Sequence, residues 1–305
     1  MDFDHYSITP PNPEFINIGG FAIAWYAILI MIGIGLAVFV ALKEAKKKNI
    51  STEMMIDLVL VGVPLSILGT RLYFVLFNLG FYLQNPGRIL AFRDGGLAIH
   101  GGIITAGIYA WWALKRKKVP LLPVLDLVAV GFFIGQIIGR FGNFMNQEAH
   151  GGIVNAPTLD AQREVLTNMF IPEFIVNGMF INGNYHHPTF LYEALWNLIG
   201  LMIILLVLRR WKTVLVGEIA AFYALWYSFG RIFIEAMRTD SLMIGPFRTA
   251  QLISFGTIAV VLVLVVYRRH KKIMMTPYYN FDLEVYKTEE QRKNNYQKKK
   301  PKKRG

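Results

Sequence analysis

The sequence predicts an all-α, polytopic membrane protein with seven transmembrane helices. Three observations lead there. Apolar residues make up 54% of the 305 positions and charged residues only 17%, well below the quarter typical of soluble domains. Some apolar runs are long: 21–40 is twenty residues without a charge and 249–267 is nineteen, and about twenty residues at helical rise cross the hydrocarbon core. Basic residues cluster at intervals that fit alternate crossings.

The first span, 21–40, is wholly apolar and is followed by Lys43, Lys46, Lys47 and Lys48. The second, 54–77, carries Arg71. The third, 95–114, opens in a glycine run and is followed by Lys115, Arg116, Lys117 and Lys118. The fourth, 121–139, has Asp126 near its inner end, where a solvated or structural role fits best. The fifth, 190–208, precedes Arg209, Arg210 and Lys212. The sixth, 218–234, carries Arg231. The seventh, 249–267, precedes Arg268, Arg269, Lys271 and Lys272. With the tail, these clusters hold 24 of the 32 lysines and arginines. If all seven segments cross, every cluster falls on one side, which the positive-inside rule makes cytoplasmic. The N-terminus is then outside and the C-terminus inside; removing one span breaks the alternation. The start, MDFDHYSITPPNPEF, is acidic and proline-rich and lacks the basic opening of a cleavable signal peptide. The first span is therefore expected to be retained.

The domain reading is a seven-helix region over 1–272 and a basic, disordered cytoplasmic tail over 273–305. Loop 143–188 is long enough to form a small extracytoplasmic subdomain between helices 4 and 5. The tail ends KKKPKKRG; attraction to anionic lipid explains its charge more simply than nucleic acid does. The absence of cysteine excludes a disulfide framework, a catalytic thiol and a cysteine metal site. His186 and His187 are adjacent, without helical metal-ligand spacing, so no metal is expected.

The eight remaining basic residues are all arginines: Arg71, Arg88, Arg93, Arg140, Arg163, Arg231, Arg238 and Arg248. The guanidinium fork suits two-point contacts with carboxylate or phosphate. Arg88, Arg93, Arg163 and Arg248 serve equally well as headgroup anchors. Four motifs hold polar groups near the outer ends of spans. GGLAIHGG sets His100 among four glycines, and histidine is the natural proton acceptor near neutral pH. GRFGNFMNQEAHG places Arg140, Asn143, Asn146 and Glu148 within nine residues. HHPTFLYE puts Tyr192 and Glu193 in the first turn of the fifth span, where Glu193 is either a helix-end charge or part of a site. YSFGRIFIEAMR spaces Tyr227, Arg231, Glu235 and Arg238 by four, four and three, on one helical face, with Glu235 able to pair with both arginines. A set of cations at headgroup level suits an anionic lipid substrate. A transporter of an anionic lipid, or a set of purely helix-pairing polar residues, also fits these features.

At these residues the sequence resembles the prolipoprotein diacylglyceryl transferase family, over about residues 15–270. Residues 139–151 match G-R-x-G-N-F-x-N-x-E-x-x-G at every fixed position. Trp25-Tyr26, the HGG at His100, the HP-x-x-LYE ending at Glu193 and the R-x-x-x-E-x-x-R from Arg231 to Arg238 also fit. Ser228 stands where the family sometimes has glycine, and the basic tail lies outside the shared pattern. The resemblance implies a multi-pass enzyme of the bacterial cell membrane. It moves the sn-1,2-diacylglyceryl group of phosphatidylglycerol to the lipobox cysteine of a preprolipoprotein signal peptide. A thioether forms and glycerol 1-phosphate leaves; no cofactor is needed. Arg140 and Arg231, with Arg238 assisting, are expected to meet the phosphate. Tyr26, Asn143, Asn146, Glu148, Gly151 and Tyr192 are expected in the substrate site. The base is His100 first, Glu235 or Glu148 next, or none if the arginines lower the thiol's pKa.

Overall fold

A computed structural model describes residues 11–92 and 95–299. In chain order, β1 (Glu14–Ile18) and β2 (Phe21–Ala24) form a hairpin ahead of α1 (Trp25–Lys47). Then come α2 (Thr52–Phe77), α3 (Leu79–Gln84), a 3-10 turn (Pro86–Arg88), α4 (Ile99–Arg116) and α5 (Leu121–Met145). α6 (Leu159–Asn168), α7 (Glu173–Gly178) and the hairpin β3 (Phe180–Ile181) and β4 (Asn184–Tyr185) follow. α8 (Thr189–Ile203) continues as a π-helical stretch (Ile204–Leu208). α9 (Glu218–Met237), the hairpin β5 (Met243–Ile244) and β6 (Phe247–Arg248), α10 (Thr249–His270) and α11 (Leu283–Lys299) complete it.

Among the described residues five helical segments are long and apolar enough to span a bilayer: α1, α2, α5, α8 with its π-helical extension, and α10. Only 6% of the apolar window of α1, and of α10, is buried by protein. A helix that is apolar all round and this uncovered needs hydrocarbon as its solvent. The chain is therefore an all-α, polytopic membrane protein. Its first helix begins at Trp25, later than the apolar run suggests. Gly19 and Gly20 turn with φ of 59° and 87°, and 21–24 pair back onto β1 in place of the helix's first turn.

The chain divides into two compact units. The larger holds the chain up to Val40 and Leu125–Asn280. Its interior centres on Val130, Phe133, Leu201, Ile204, Ile219 and Tyr278. α8 and α9 are joined by Trp196 and Trp226, whose rings stack at 4.3 Å. Each indole N–H donates to the other residue's carbonyl, at 2.9 and 2.8 Å. Asp126 is fully buried and accepts the N–H groups of Gly217 and Ala220, at 2.6 and 2.9 Å. Gly217, the N-cap of α9, has no side chain, so α5 supplies the capping carboxylate from outside. That settles Asp126 as structural.

Loop 143–188 builds a separate core from Phe144, Val154, Leu166, Ile171, Ile175, Val176, Met179, Ile181 and Tyr185, to which α8 adds Phe190. Asn182 and Gly183 turn between β3 and β4 with φ of 50° and 84°, the double positive φ of a two-residue hairpin. Gln162 on α6 accepts the Tyr185 N–H at 2.9 Å, tying the helix to the hairpin.

The smaller unit holds 41–124 and 281 onward. α2 and α4 pack at backbone distance. A Cβ on Gly101 would lie 2.2 Å from the Gly69 carbonyl oxygen, so two glycines of the HGG region and α2 exist for contact rather than for turning. Arg71 is buried and donates to the carbonyls of Ile89, Arg88, Gly95 and Gly96, at 2.8, 2.6, 2.6 and 3.2 Å. It fixes the stretch that leads into α4. Arg93 lies outside the described residues.

The tail departs from the expected disorder as far as residue 299. Tyr278 is buried in the larger unit, and its N–H donates to Val214 O at 2.8 Å. Phe281 and Leu283 are buried in the smaller unit, where Asp282 accepts from Asn49 at 2.6 Å and caps α11 through the N–H groups of Glu284 and Val285. Three of the six side chains in 278–283 are thus removed from water, in a segment that is otherwise polar. The final residues, 300–305, lie outside the described residues, as do 1–10.

Candidate active site

The larger unit gathers polar groups at one end of its helices: the C-terminal ends of α5 and α9 and the N-terminal ends of α1 and α8. The centre is Glu193, with a side chain 3% exposed. Its Oε1 accepts from Arg140 Nη2 at 2.6 Å, and its Oε2 accepts from Arg231 Nη1 at 3.0 Å. One carboxylate thus bridges arginines from two other helices. α8 begins at Thr189 with Pro188 as its N-cap, and Glu193 lies beyond the capping position. Its charge serves the arginines, and the helix-end alternative falls away.

Around this bridge the motif residues take places that their spacing partly foretold. Arg140 Nη1 donates to Asn143 Oδ1 at 3.3 Å. The Asn143 amide donates to Glu148 Oε1 at 2.9 Å, and Asn146 reaches the same oxygen at 3.4 Å. The Tyr26 ring lies against α5 at Gly142, where a Cβ would come within 2.5 Å of it. Arg231 Nη2 stands 2.5 Å from Glu235 Oε2, a charge contact rather than an aligned hydrogen bond. Buried ion pairs of this kind are held only where each charge finds a partner, and here two arginines and two glutamates alternate. Arg140 and Arg231 keep 18% and 14% of their side-chain surface exposed, while both glutamates are closed off. Each arginine side chain thus stays partly exposed while the carboxylate it pairs with is closed off.

Arg238 departs from the one-face reading. It turns to Asp240 with two bonds, at 2.9 and 2.8 Å, because α9 ends at Met237 and Arg238 is already extended. Those bonds hold the Asp240 carboxyl below the usual range. Arg248 donates to the carbonyls of Glu235 and Arg238 and to Ser241 Oγ. It closes the end of α9 and is no free headgroup anchor. Gly151 is pinched in a backbone clamp. Its N–H donates to His187 O at 2.9 Å, the His187 N–H donates to Gly152 O at 3.0 Å, and the Gly152 N–H donates to Met237 O at 3.1 Å. A Cβ there would meet His187 Cβ at 2.9 Å. His186 Nδ1 lies 2.9 Å from Gly151 O. Burial pushes the imidazoles of His186 and His187 below their usual pKa. Tyr192 is turned from the bridge towards His187 Nδ1, at 3.3 Å. His100 belongs to the smaller unit. It is exposed in the first turn of α4, with its ring 6.3 Å from Tyr73. Among the described residues no cluster of metal-ligating side chains occurs.

Sequence reasoning left Glu193 between two roles and passed over Asp240. The signal for Glu193 was present: a carboxylate in a proline-started apolar span has to find a cation at that depth. Asp240 gave only a two-residue spacing from Arg238, which becomes meaningful once the helix is known to end.

This chain matches the family model described as prolipoprotein diacylglyceryl transferase over residues 13–267. The chain belongs to that family. A phosphatidylglycerol--prolipoprotein diacylglyceryl transferase of Streptococcus pneumoniae serotype 4 is 45% identical over 268 residues, covering 88% of this chain and 97% of the relative. The protein of the same name from Listeria innocua is 43% identical over 275 residues, covering 90% and 95%. That from Listeria welshimeri is also 43% identical over 275 residues. The family match takes in every residue of the bridge and stops short of α11.

Proposed function

We propose that this chain is a diacylglyceryl transferase of the bacterial cell membrane. It moves the sn-1,2-diacylglyceryl group of phosphatidylglycerol to the lipobox cysteine of a preprolipoprotein. The thiol loses its proton, its sulfur attacks the glyceryl carbon that carries the phosphate, and the C–O bond breaks towards the phosphate. A thioether and glycerol 1-phosphate result, with one proton released. One observation carries this reading: within the family-matched segment, α5 and α9 each bring an arginine to the same buried carboxylate.

The two arginines, whose side chains stay partly exposed, meet the lipid phosphate. They screen its charge from the approaching thiolate and stabilise charge as the phosphate leaves. Glu193 and Glu235 hold the guanidinium planes, so little reorganisation is required when the phosphate arrives. Asn143, Asn146 and Glu148 form a short polar run that suits the glycerol hydroxyls. Tyr26 shields the headgroup from the α1 side, and the clamp at Gly151 holds the chain that follows α5. Arg238 and Tyr192 stand at the rim. His100 is our first choice for the base and Glu235 or Glu148 the second; a thiol among arginines also ionises more readily unaided.

The same reading has seven helices crossing, with α4 and α9 as the less apolar pair, the N-terminus outside and loop 143–188 on the outer face. The clusters after α1, α4, α8 and α10 then all face the cytoplasm.

Purified protein with phosphatidylglycerol and a lipobox peptide tests the activity. Mass analysis is expected to find a diacylglyceryl group on the peptide thiol and none on the serine counterpart. Modification of the serine peptide, or of neither, would overturn it.

A further inference from the structure

α6 ends in an unusual way. Its C-cap is Met169, and the next residue, Phe170, has a φ of 57°. That left-handed place after a helix normally goes to glycine or asparagine, because a Cβ is strained there. Here it holds a phenylalanine that is 95% exposed. Phe174 is 63% exposed, Met169 48% and Val165 38%. These four residues lie within ten positions of one another in a subdomain that otherwise has a well-buried core. Neither backbone preference nor packing within the chain favours phenylalanine at position 170, so its apolar surface meets something outside the chain.

The depth of the patch says what that is. α8 with its π-helical extension, Thr189–Leu208, has 20 residues, about 30 Å of rise and so one thickness of hydrocarbon. Its first turn therefore stands at the hydrocarbon boundary. Tyr192 lies in that turn, and its hydroxyl meets Met169 Sδ at 3.8 Å. The Phe174 ring stands edge-on to Phe144, in the last turn of α5, with centroids 6.3 Å apart. The patch is thus level with the ends of two spans.

We infer that turn 169–174 is a membrane anchor: Phe170, Phe174 and Met169 enter the lipid leaflet beside α5 and α8 and hold the subdomain down on the bilayer. The partner is lipid acyl chain and headgroup boundary, the depth at which aromatic side chains gather. This requires only that α8 spans, and it stands apart from the roles given to the site residues.

The chain has no cysteine, so Phe170→Cys and Glu164→Cys each give a single nitroxide site. In vesicles of phosphatidylcholine and phosphatidylglycerol, the label at 170 is expected to collide more with oxygen than with a water-soluble nickel chelate. The label at 164 should do the reverse. Phe170→Asn relieves the left-handed strain, so its thermal midpoint in detergent should stay level or rise. In that background a label at Phe174→Cys should shift towards the nickel chelate. A watery signal at 170 in vesicles holding lipid alone overturns the anchor. Protection that appears only with added lipobox peptide, or only at high protein density, also overturns it, and assigns the patch to the substrate or to a second copy. A lower midpoint for Phe170→Asn overturns it by making the side chain structural.

Discussion

Glu193 is the residue on which the arrangement of the cluster turns. It accepts from Arg140 and Arg231 at once while almost fully buried, so both guanidinium planes are set by one carboxylate. Replacing it by glutamine keeps the volume but turns one acceptor into a donor that faces an arginine. Glu193→Gln should lower kcat/KM roughly tenfold to a hundredfold, about 1.4–2.7 kcal/mol of barrier, with the folded fraction checked alongside. Activity within twofold of the parent would remove Glu193 from the mechanism. His100 poses a narrower question, being exposed at the start of α4 with its ring 6.3 Å from that of Tyr73 on α2. As general base it should give His100→Gln a lower rate and a displaced pH profile. An unchanged rate with an unchanged profile passes the role to a glutamate or to no group at all.

At the scale of elements, the clamp 149–152 to 186–189 joins the end of α5 to the start of α8. It is made of main-chain bonds, the Thr189 hydroxyl donating to Ala149 O at 2.7 Å, and the His186 contact to Gly151 O. Burial lowers the pKa of both His186 and His187, so the folded clamp prefers them neutral. Above the unfolded value, about 6.5, both states are neutral and the clamp has its full stability. As pH falls below that value the unfolded chain takes protons that the folded one resists, and stability is lost. Hydrogen exchange at the amides of Gly151, Gly152 and His187 should therefore quicken between pH 7.5 and pH 5, after correction for intrinsic rates. His186→Asn should flatten part of that dependence, and pH-independent protection in the parent would contradict the burial argument.

For the molecule as a whole, the question is how many helices cross. Among the described residues five segments qualify on length and apolarity alone; α4 and α9 carry the polar groups that lower their apolar content. Their places between the lysine-rich ends are what makes the basic clusters fall on one side. With no native cysteine, single substitutions report sidedness cleanly. Lys117→Cys, Lys212→Cys and Lys271→Cys should react only with reagents that reach the cytoplasm, and Asn155→Cys only with reagents outside. Labelling of Lys117→Cys from outside would remove a crossing and the proposed orientation with it.

Membrane residence, five of the apolar spans and the polar motifs were written in the sequence, because apolar run length and helical period are local quantities that a linear chain displays. The family resemblance also came from contiguous motifs. What the linear chain leaves open is pairing between elements. Arg231 and Arg238 look equivalent on a helical wheel, yet α9 stops between them, sending one to Glu193 and Glu235 and the other to Asp240. Glu193 reads as a helix-end charge until α5 and α9 are packed beside it. The tail reads as disordered until Tyr278, Phe281 and Leu283 find their hydrophobic seats. For Glu193 and for the tail the deciding term is the desolvation of a charge or an apolar side chain by residues far away in sequence, which only tertiary packing supplies; for Arg238 it is the point at which α9 ends.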